Sequence, residues 1–263
     1  MERQILSDNL ELNSGENFLI LDCVKSDMSF SFKKDSFLDI LCTNLKDGIS
    51  INFTCEENCS IRLSFLNKNN INNVKISANL GHNSFIDAYF ADFSSGKSNV
   101  EIVFNLNGEY SKINWHLSCL SAKDENKRFD VSVFHNAKNT FAVMDNYGVC
   151  KDNAKLVFSG ISHIIKGASG SKTHQNAKIM VFDENSDAVA KPILKIDEND
   201  IEASHAAIVG KINDEHLFYL TSRGLSESTA KELITFGYLK PIVNGFKEEV
   251  IKNEINTLIE GKM

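Results

Sequence analysis

Proline is the scarcest structural signal in this chain: Pro192 and Pro241 are the only two in 263 residues. That scarcity excludes a proline-rich linker, a polyproline recognition segment and a mucin-like stalk. Tryptophan occurs once, at Trp115. Basic charge is in deficit, with 28 Lys and Arg against 35 Asp and Glu, a net charge of −7. Nucleic-acid binding needs a basic footprint that displaces counterions from phosphates, and the composition offers none. No stretch approaches the roughly 18 consecutive apolar residues of a membrane-spanning helix. Met1 to Leu12 mixes Glu2, Arg3, Asp8 and Glu11 with isolated apolar residues, which lacks the apolar run of a signal peptide and reads as cytoplasmic.

Catalytic signatures are missing too. The chain has no G-x-x-x-x-G-K-[ST] loop, no G-x-G-x-x-G opening a helix after a strand, no H-E-x-x-H and no G-x-S-x-G. Gly167-Ala168-Ser169-Gly170-Ser171-Lys172 is glycine-rich but lacks the phosphate-loop spacing, so it reads as a turn between strands. Asp183-Glu184 and Asp197-Glu198 fall in polar clusters with the character of loops. No catalytic residue is assigned, and no cofactor bound tightly by the chain alone. The six cysteines are Cys23, Cys42, Cys55, Cys59, Cys119 and Cys150. Only Cys55 and Cys59 are close, and a zinc or cluster site would need a second pair, or histidines, nearby. All six read as reduced thiols in core or loop positions.

What the chain has in abundance is asparagine, 29 residues of it. Asn tolerates left-handed backbone and bonds its own main chain, so the count predicts many turns. From about residue 18 to 196 apolar residues alternate with polar ones. Ile61, Leu63 and Phe65 alternate, as do Val100, Ile102, Phe104 and Leu106, then Ile113, Trp115 and Leu117, then Phe129, Val131 and Val133. A period of two marks strands buried on one face. Turn clusters separate them at Asn67–Asn70, Ser94–Ser98, Asn107-Gly108 and Asn136–Asn139. Short strands in this number fit a sandwich, a barrel or a stacked solenoid, and no clean repeat of about 20–50 residues singles out the last.

The pattern changes near residue 210. A helix is predicted from Ile212-Asn213-Asp214-Glu215, with Leu217, Leu220 and Thr221 on one side and Arg223-Gly224 as its stop. A second begins after Ser226 as N-cap, carries Ala230, Leu233 and Ile234, and ends at Gly237 before Pro241. A third amphipathic stretch spans Asn244 to Gly261, with Phe246, Val250, Ile251, Ile255, Leu258 and Ile259 as its stripe. A β-rich body, residues 1–209, therefore precedes a helical region, residues 210–263.

Three blocks in the C-terminal third carry a family resemblance. Lys191-Pro192-Ile193-Leu194-Lys195-Ile196 reads P-x-L-x-I, and His205 to Lys211 reads H-A-A-x-V-G-K. Leu217 to Leu225 reads L-F-Y-L-x-S-R-G-L. In this order and spacing, together with Gly167 to Gln175, they resemble the core of the SufB/SufD proteins, scaffold subunits of the SUF iron–sulfur cluster assembly machinery. Before about residue 160 only the β pattern carries the likeness. The resemblance implies a right-handed parallel β-helix followed by a small helical region. It further implies that two such subunits associate through their β-helices, and that each docks an ABC-type ATPase, SufC, on its helices. A missing phosphate loop suits that scheme, because ATP would be hydrolysed by the partner and this chain would be a non-catalytic scaffold.

SufB-type subunits carry a cysteine shortly before the proline of P-x-L-x-I, and here residues 185–191 contain none. The SufD type contributes an interface histidine instead, and His205 matches it, so the resemblance is SufD-like. His205 is thus the candidate ligand for a transient Fe–S cluster at a subunit interface, against a plain role as a structural histidine. Leu217, Phe218, Tyr219, Arg223 and Leu225 are the candidate contacts for SufC, against a role in covering the open end of the solenoid. The helical N-terminal region common in SufD proteins has no counterpart in the strand-like opening of this sequence, so its contacts are not carried over. The partner is either a SufB-type subunit or a second copy, the latter making this chain the sole scaffold of a two-component system with SufC. From another class, a stand-alone β-solenoid acting on or binding carbohydrate is the competing reading.

Overall fold

The computed structural model describes residues 10–12, 15–22 and 26–263. Sixteen strands follow one another in these residues: β1 (Leu10–Leu12), β2 (Gly15–Asp22), β3 (Met28–Phe32), β4 (Ser36–Thr43), β5 (Ser50–Cys55), β6 (Ser60–Asn67), β7 (Ile71–Leu80) and β8 (Phe85–Asp92), then β9 (Lys97–Leu106), β10 (Lys112–Ser121), β11 (Asn126–His135), β12 (Phe141–Cys150), β13 (Lys155–Ile164), β14 (Ser171–Val181), β15 (Asp187–Ile196) and β16 (Ile201–Lys211). Odd and even strands form two separate eight-stranded sheets, parallel throughout, in sequential order. The chain therefore winds as a β-solenoid, each turn adding one strand to each sheet.

Along the even-numbered sheet each turn is longer than the one before as far as β14, and the last step, Lys172 to Glu202, is one residue shorter. Gly15 pairs with Ser36, Phe37 with Ser60, Ser60 with Phe85, Phe85 with Lys112, Lys112 with Phe141 and Phe141 with Lys172, so the turn grows from 21 to 31 residues. This drift is why no fixed repeat is readable in the sequence.

The alternation works as predicted. Ile61, Leu63, Phe65, Ile102, Phe104, Ile113, Trp115, Phe129 and Val131 all face the space between the sheets and are buried there. Aromatic rings stack from turn to turn, Phe30 on Phe53 at 5.3 Å, Phe65 on Phe90 at 5.7 Å, and Phe129 against Phe158 at 6.0 Å. The Trp115 indole N–H donates to Asn146 Oδ1 at 3.0 Å. Cys42, Cys55, Cys59, Cys119 and Cys150 are free and buried, and Cys23 lies outside the described residues, as do Met1 to Asn9.

The asparagines do turn the chain. One corner repeats a left-handed residue at Asp35, Asn58, Asn83, Tyr110 and Asn139, with φ between 51° and 62°. Asn83 Nδ2 donates to Asn58 Oδ1 at 3.0 Å, and Asn58 Nδ2 to Asp35 Oδ1 at 3.1 Å, so the corners are laddered. Backbones come close beside this corner: a Cβ added to Gly108 would collide with the main chain of Gly81 and His82.

Three helices follow: α1 (Asp214–Ser222), α2 (Glu227–Leu239) and α3 (Glu249–Glu260), with a 3-10 turn over Lys240–Gly245. Asn213 caps α1 by accepting from the N–H groups of Glu215 and His216, at 2.8 and 3.2 Å. The helix stops at a left-handed Gly224, whose N–H bonds the Thr221 carbonyl while Leu225 N–H bonds that of Leu220. Ser226 caps α2, accepting from Thr229 N–H at 3.1 Å. Gly237 does not end α2, contrary to the sequence expectation. The helix runs on to Leu239 because Leu239 itself is buried, and Pro241 then starts the 3-10 turn, which needs no N–H at that point. The third stretch is likewise divided, with Phe246 buried in the link before α3.

The helices do not cover the end of the solenoid. Leu239, Ile242, Val243, Phe246, Ile255 and Ile259 pack on an apolar seam along the outer flank of the even-numbered sheet, made by Leu41, Leu66, Ala91, Phe93, Leu120, Ala122 and Val149. The flank offers that seam because both faces of the sheet are apolar where its strands end, and the last turn is left open.

Candidate functional site

The last turn breaks the burial rule. Strands β15 and β16 close their sheets, each with a neighbour on one side only. Ile193 and Ile196 on β15, and Ile208 and Val209 on β16, are exposed, Ile208 to 56%. A parallel sheet is normally buried on both faces, so an open, apolar terminal turn leaves backbone and side chains that another chain could cover. Among these four, sequence reasoning saw only strand residues. Their position in the final strands before the change of period was the available signal.

His205 sits on this surface, exposed, midway along β16. The register puts it in one column with Gln175 on β14, Met144 on β12 and Trp115 on β10, all three of which are inward-facing and buried. His205 therefore takes the next inward position, at a level where no further turn closes over it. Gln175 lies beneath it and spans the interior, donating from Nε2 to Ser162 Oγ at 2.8 Å and to the Ile193 carbonyl at 3.1 Å. Gly160 faces that amide, and a Cβ there would stand 2.8 Å from Gln175 Oε1. Around His205 the outer face of the turn is polar, with His174 Nδ1 2.8 Å from Ser204 Oγ and Lys172 Nζ 2.8 Å from Glu202.

Imidazole nitrogen can ligate iron or zinc. Among the described residues no three His, Cys, Asp or Glu side chains converge on a point that could hold a metal ion. A metal or cluster at His205 would take its other ligands from elsewhere, and an open end is where a second chain could bring them.

The five candidate contact residues lie apart from His205, on and just after α1. No residue of α1 is buried. Phe218 is 73% exposed, Tyr219 is exposed as well, and the Arg223 guanidinium stands 5.3 Å over the Tyr219 ring. Leu217 and Leu225 are half-buried. Leu233 of α2, read from the sequence as part of that helix's apolar face, is exposed as well. Tyr and Arg at the centre of an exposed apolar patch are the usual anchors of an interface.

A third feature was not foreseen. On the outer face of the even-numbered sheet, acidic side chains alternate with an arginine and a histidine from strand to strand: Asp39, Arg62, Asp87, His116 and Asp145 follow at 3.8, 3.7, 3.8 and 3.7 Å. Tyr89 stacks on His116 at 4.8 Å, and Tyr147 and Tyr238 face the same hollow, of about 570 Å³. These residues are scattered over more than a hundred positions and meet only through the winding of the chain.

Comparison with known proteins extends the likeness well beyond the C-terminal third. The family described as "SUF system FeS cluster assembly, SufBD core domain" matches residues 45–238. A protein named iron-sulfur cluster assembly protein SufD, from Bacillus subtilis (strain 168), is 31% identical over 183 residues, 70% of this chain and 42% of the relative. The SufB of the same organism is 30% identical over 144 residues, 55% of this chain and 31% of the relative. A SufBD family protein of Staphylococcus saprophyticus is 30% identical over 158 residues, 60% of this chain and 34% of the relative. The chain thus spans about two fifths or less of the length of these relatives.

Proposed function

The chain belongs to the SufB/SufD family of iron–sulfur cluster assembly proteins, and from that premise we propose that it is a non-catalytic, SufD-like scaffold. In this reading its open end pairs with a SufB-type subunit, and its α1–α2 patch docks a SufC-type ATPase in the cytoplasm. The observation that carries the proposal is the uncovered terminal turn with His205 on its last strand. The nascent cluster is cargo, and His205 supplies one ligand to it while the partner's thiolates supply others. The absence of any cysteine after Cys150 favours this division of labour, since β15 and β16 have no thiolate to give. A second copy in place of the SufB-type subunit would have to build a cluster without that cysteine on either side. The carbohydrate reading finds no support in the family to which the chain belongs.

His205→Ala in the co-expressed complex should leave assembly and ATPase retention intact while the yield of reconstituted cluster falls. An unchanged cluster yield would remove His205 from the site. Replacing Phe218 and Tyr219 together by Ala should abolish capture of the ATPase with no change in the thermal midpoint, because neither side chain is buried. Native mass spectrometry of the same complex distinguishes the mixed pair from the homodimer.

A further inference from the structure

Under α3 lies a charge network that belongs to neither surface described above. Lys127 of β11 is wholly buried and donates to Asp92 Oδ1 and to the Ser94 carbonyl, both at 2.7 Å. Asn67 Nδ2 donates to Asp92 Oδ2 at 2.9 Å. Glu125 accepts from Ala122 N–H at 3.0 Å and stands 3.8 Å from Lys127 Nζ. The solenoid by itself thus buries two carboxylates around one ammonium. A net negative charge in that setting is costly unless a cation completes it.

The completing cation comes from beyond α3. Lys262 Nζ donates to Glu125 Oε2 at 2.6 Å, to the Ser94 carbonyl at 2.5 Å and to the Leu120 carbonyl at 3.1 Å. Burial and the Lys127 charge pull the Lys262 ammonium down to about 8, so it keeps its proton at neutral pH. In return Lys151 Nζ donates to the Lys262 and Met263 carbonyls, at 3.3 and 3.0 Å. The rest of α3 is held lightly. Only Ile255 and Ile259 are buried along its twelve residues, with Ile251 and Leu258 partly so; Lys68 Nζ meets Glu254 at 2.8 Å in a part-exposed pair, Glu248 makes no capping bond, and Val250 points to solvent.

We propose that α3 is a strap locked shut by Lys262, whose ammonium neutralises Glu125 inside the solenoid wall, and that its release bares the apolar seam shared with α2. A lightly packed helix with one buried charged pin is a local opening unit in the sense of low-stability segments. Opening would loosen the floor beneath the helices that face solvent without unwinding the solenoid. The inference rests on the network alone and does not depend on what docks at α1.

Hydrogen exchange of the full chain by mass spectrometry tests it. Lys262→Met should speed exchange over residues 249–260 by tenfold or more while strands β6 to β12 keep their wild-type rates. Lys262→Met combined with Glu125→Gln, which restores neutrality, should bring α3 back toward wild-type protection. Lys252→Met, which removes only the exposed pair with Glu249, should change nothing. Wild-type protection of α3 in Lys262→Met would overturn the proposal. So would a failure of the double variant to recover, or equal acceleration in the strands, which would make the network a fold determinant and not a lock.

Discussion

Acid should unfold this protein partly through one side chain, His135. It ends β11, fully buried, with Nδ1 2.7 Å from Thr140 Oγ1, which in turn lies 2.8 Å from Ser171 Oγ. Among the described residues its Nε2 has no partner, and burial alone acts on the ring. Burial holds the ring well below its ordinary value of 6.5, down to about 4. Unfolded chain therefore binds a proton that folded chain refuses, throughout the window from about pH 6.5 to 4. Stability from this group is complete above that window and lost as pH falls through it. At 1.36 kcal/mol per unit of difference, the loss is about 2 kcal/mol at pH 5 and about 3 kcal/mol at pH 4. Urea unfolding at a series of pH values, for wild type and His135→Phe, isolates the effect from the carboxylates common to both. The variant should start less stable at pH 7, having lost the Thr140 bond, and the two curves should converge on acidification by about 3 kcal/mol. Parallel curves would show that the imidazole is hydrated or paired in solution and would refute the reasoning.

Three further outcomes follow from the packing. Gly108→Ala should destabilise by about 3 kcal/mol or more in urea, since its Cβ meets backbone that cannot rotate away. Asn83→Ala should cost about 1–2 kcal/mol and Asn83→Gly much less, because φ is 51° there; equal losses in the two variants would put the cost in the side-chain ladder instead. Asn146→Ala leaves the Trp115 N–H buried without an acceptor and should lower stability by about 1–3 kcal/mol, read directly from emission of this single tryptophan during unfolding.

The body of the molecule was largely legible before any coordinates. Strict alternation at Ile61–Phe65, Val100–Leu106 and Phe129–Val133 names inward residues correctly, because a strand has only two faces. Asparagine clusters mark corners because the corner geometry demands a left-handed residue. The choice of solenoid was not legible from periodicity, since successive turns differ in length and leave no register to detect; the family blocks supplied it. His205, Phe218 and Tyr219 could be singled out through those blocks alone, as nothing in their local pattern distinguishes an exposed histidine or helix face from a covered one. The flank on which α2 and α3 lie, the Lys262 network and the Asp39–Asp145 ladder were out of reach. Each joins residues whose separation in sequence is set by several windings, and a count of alternating residues carries no such information.

The lengthening of the turns also bears on what can cover the open end. A rung of 21 residues from β2 to β4 against one of 30 from β14 to β16 makes the described body a taper, narrow at β2 and broad at β16. A rung as short as the first would leave part of the β16 rung's main chain unmatched, so it is a poor fit there by shape. A rung of like width matches that edge along its whole length. The taper thus sorts by width what can cover the terminal turn, before any side chain selects by chemistry.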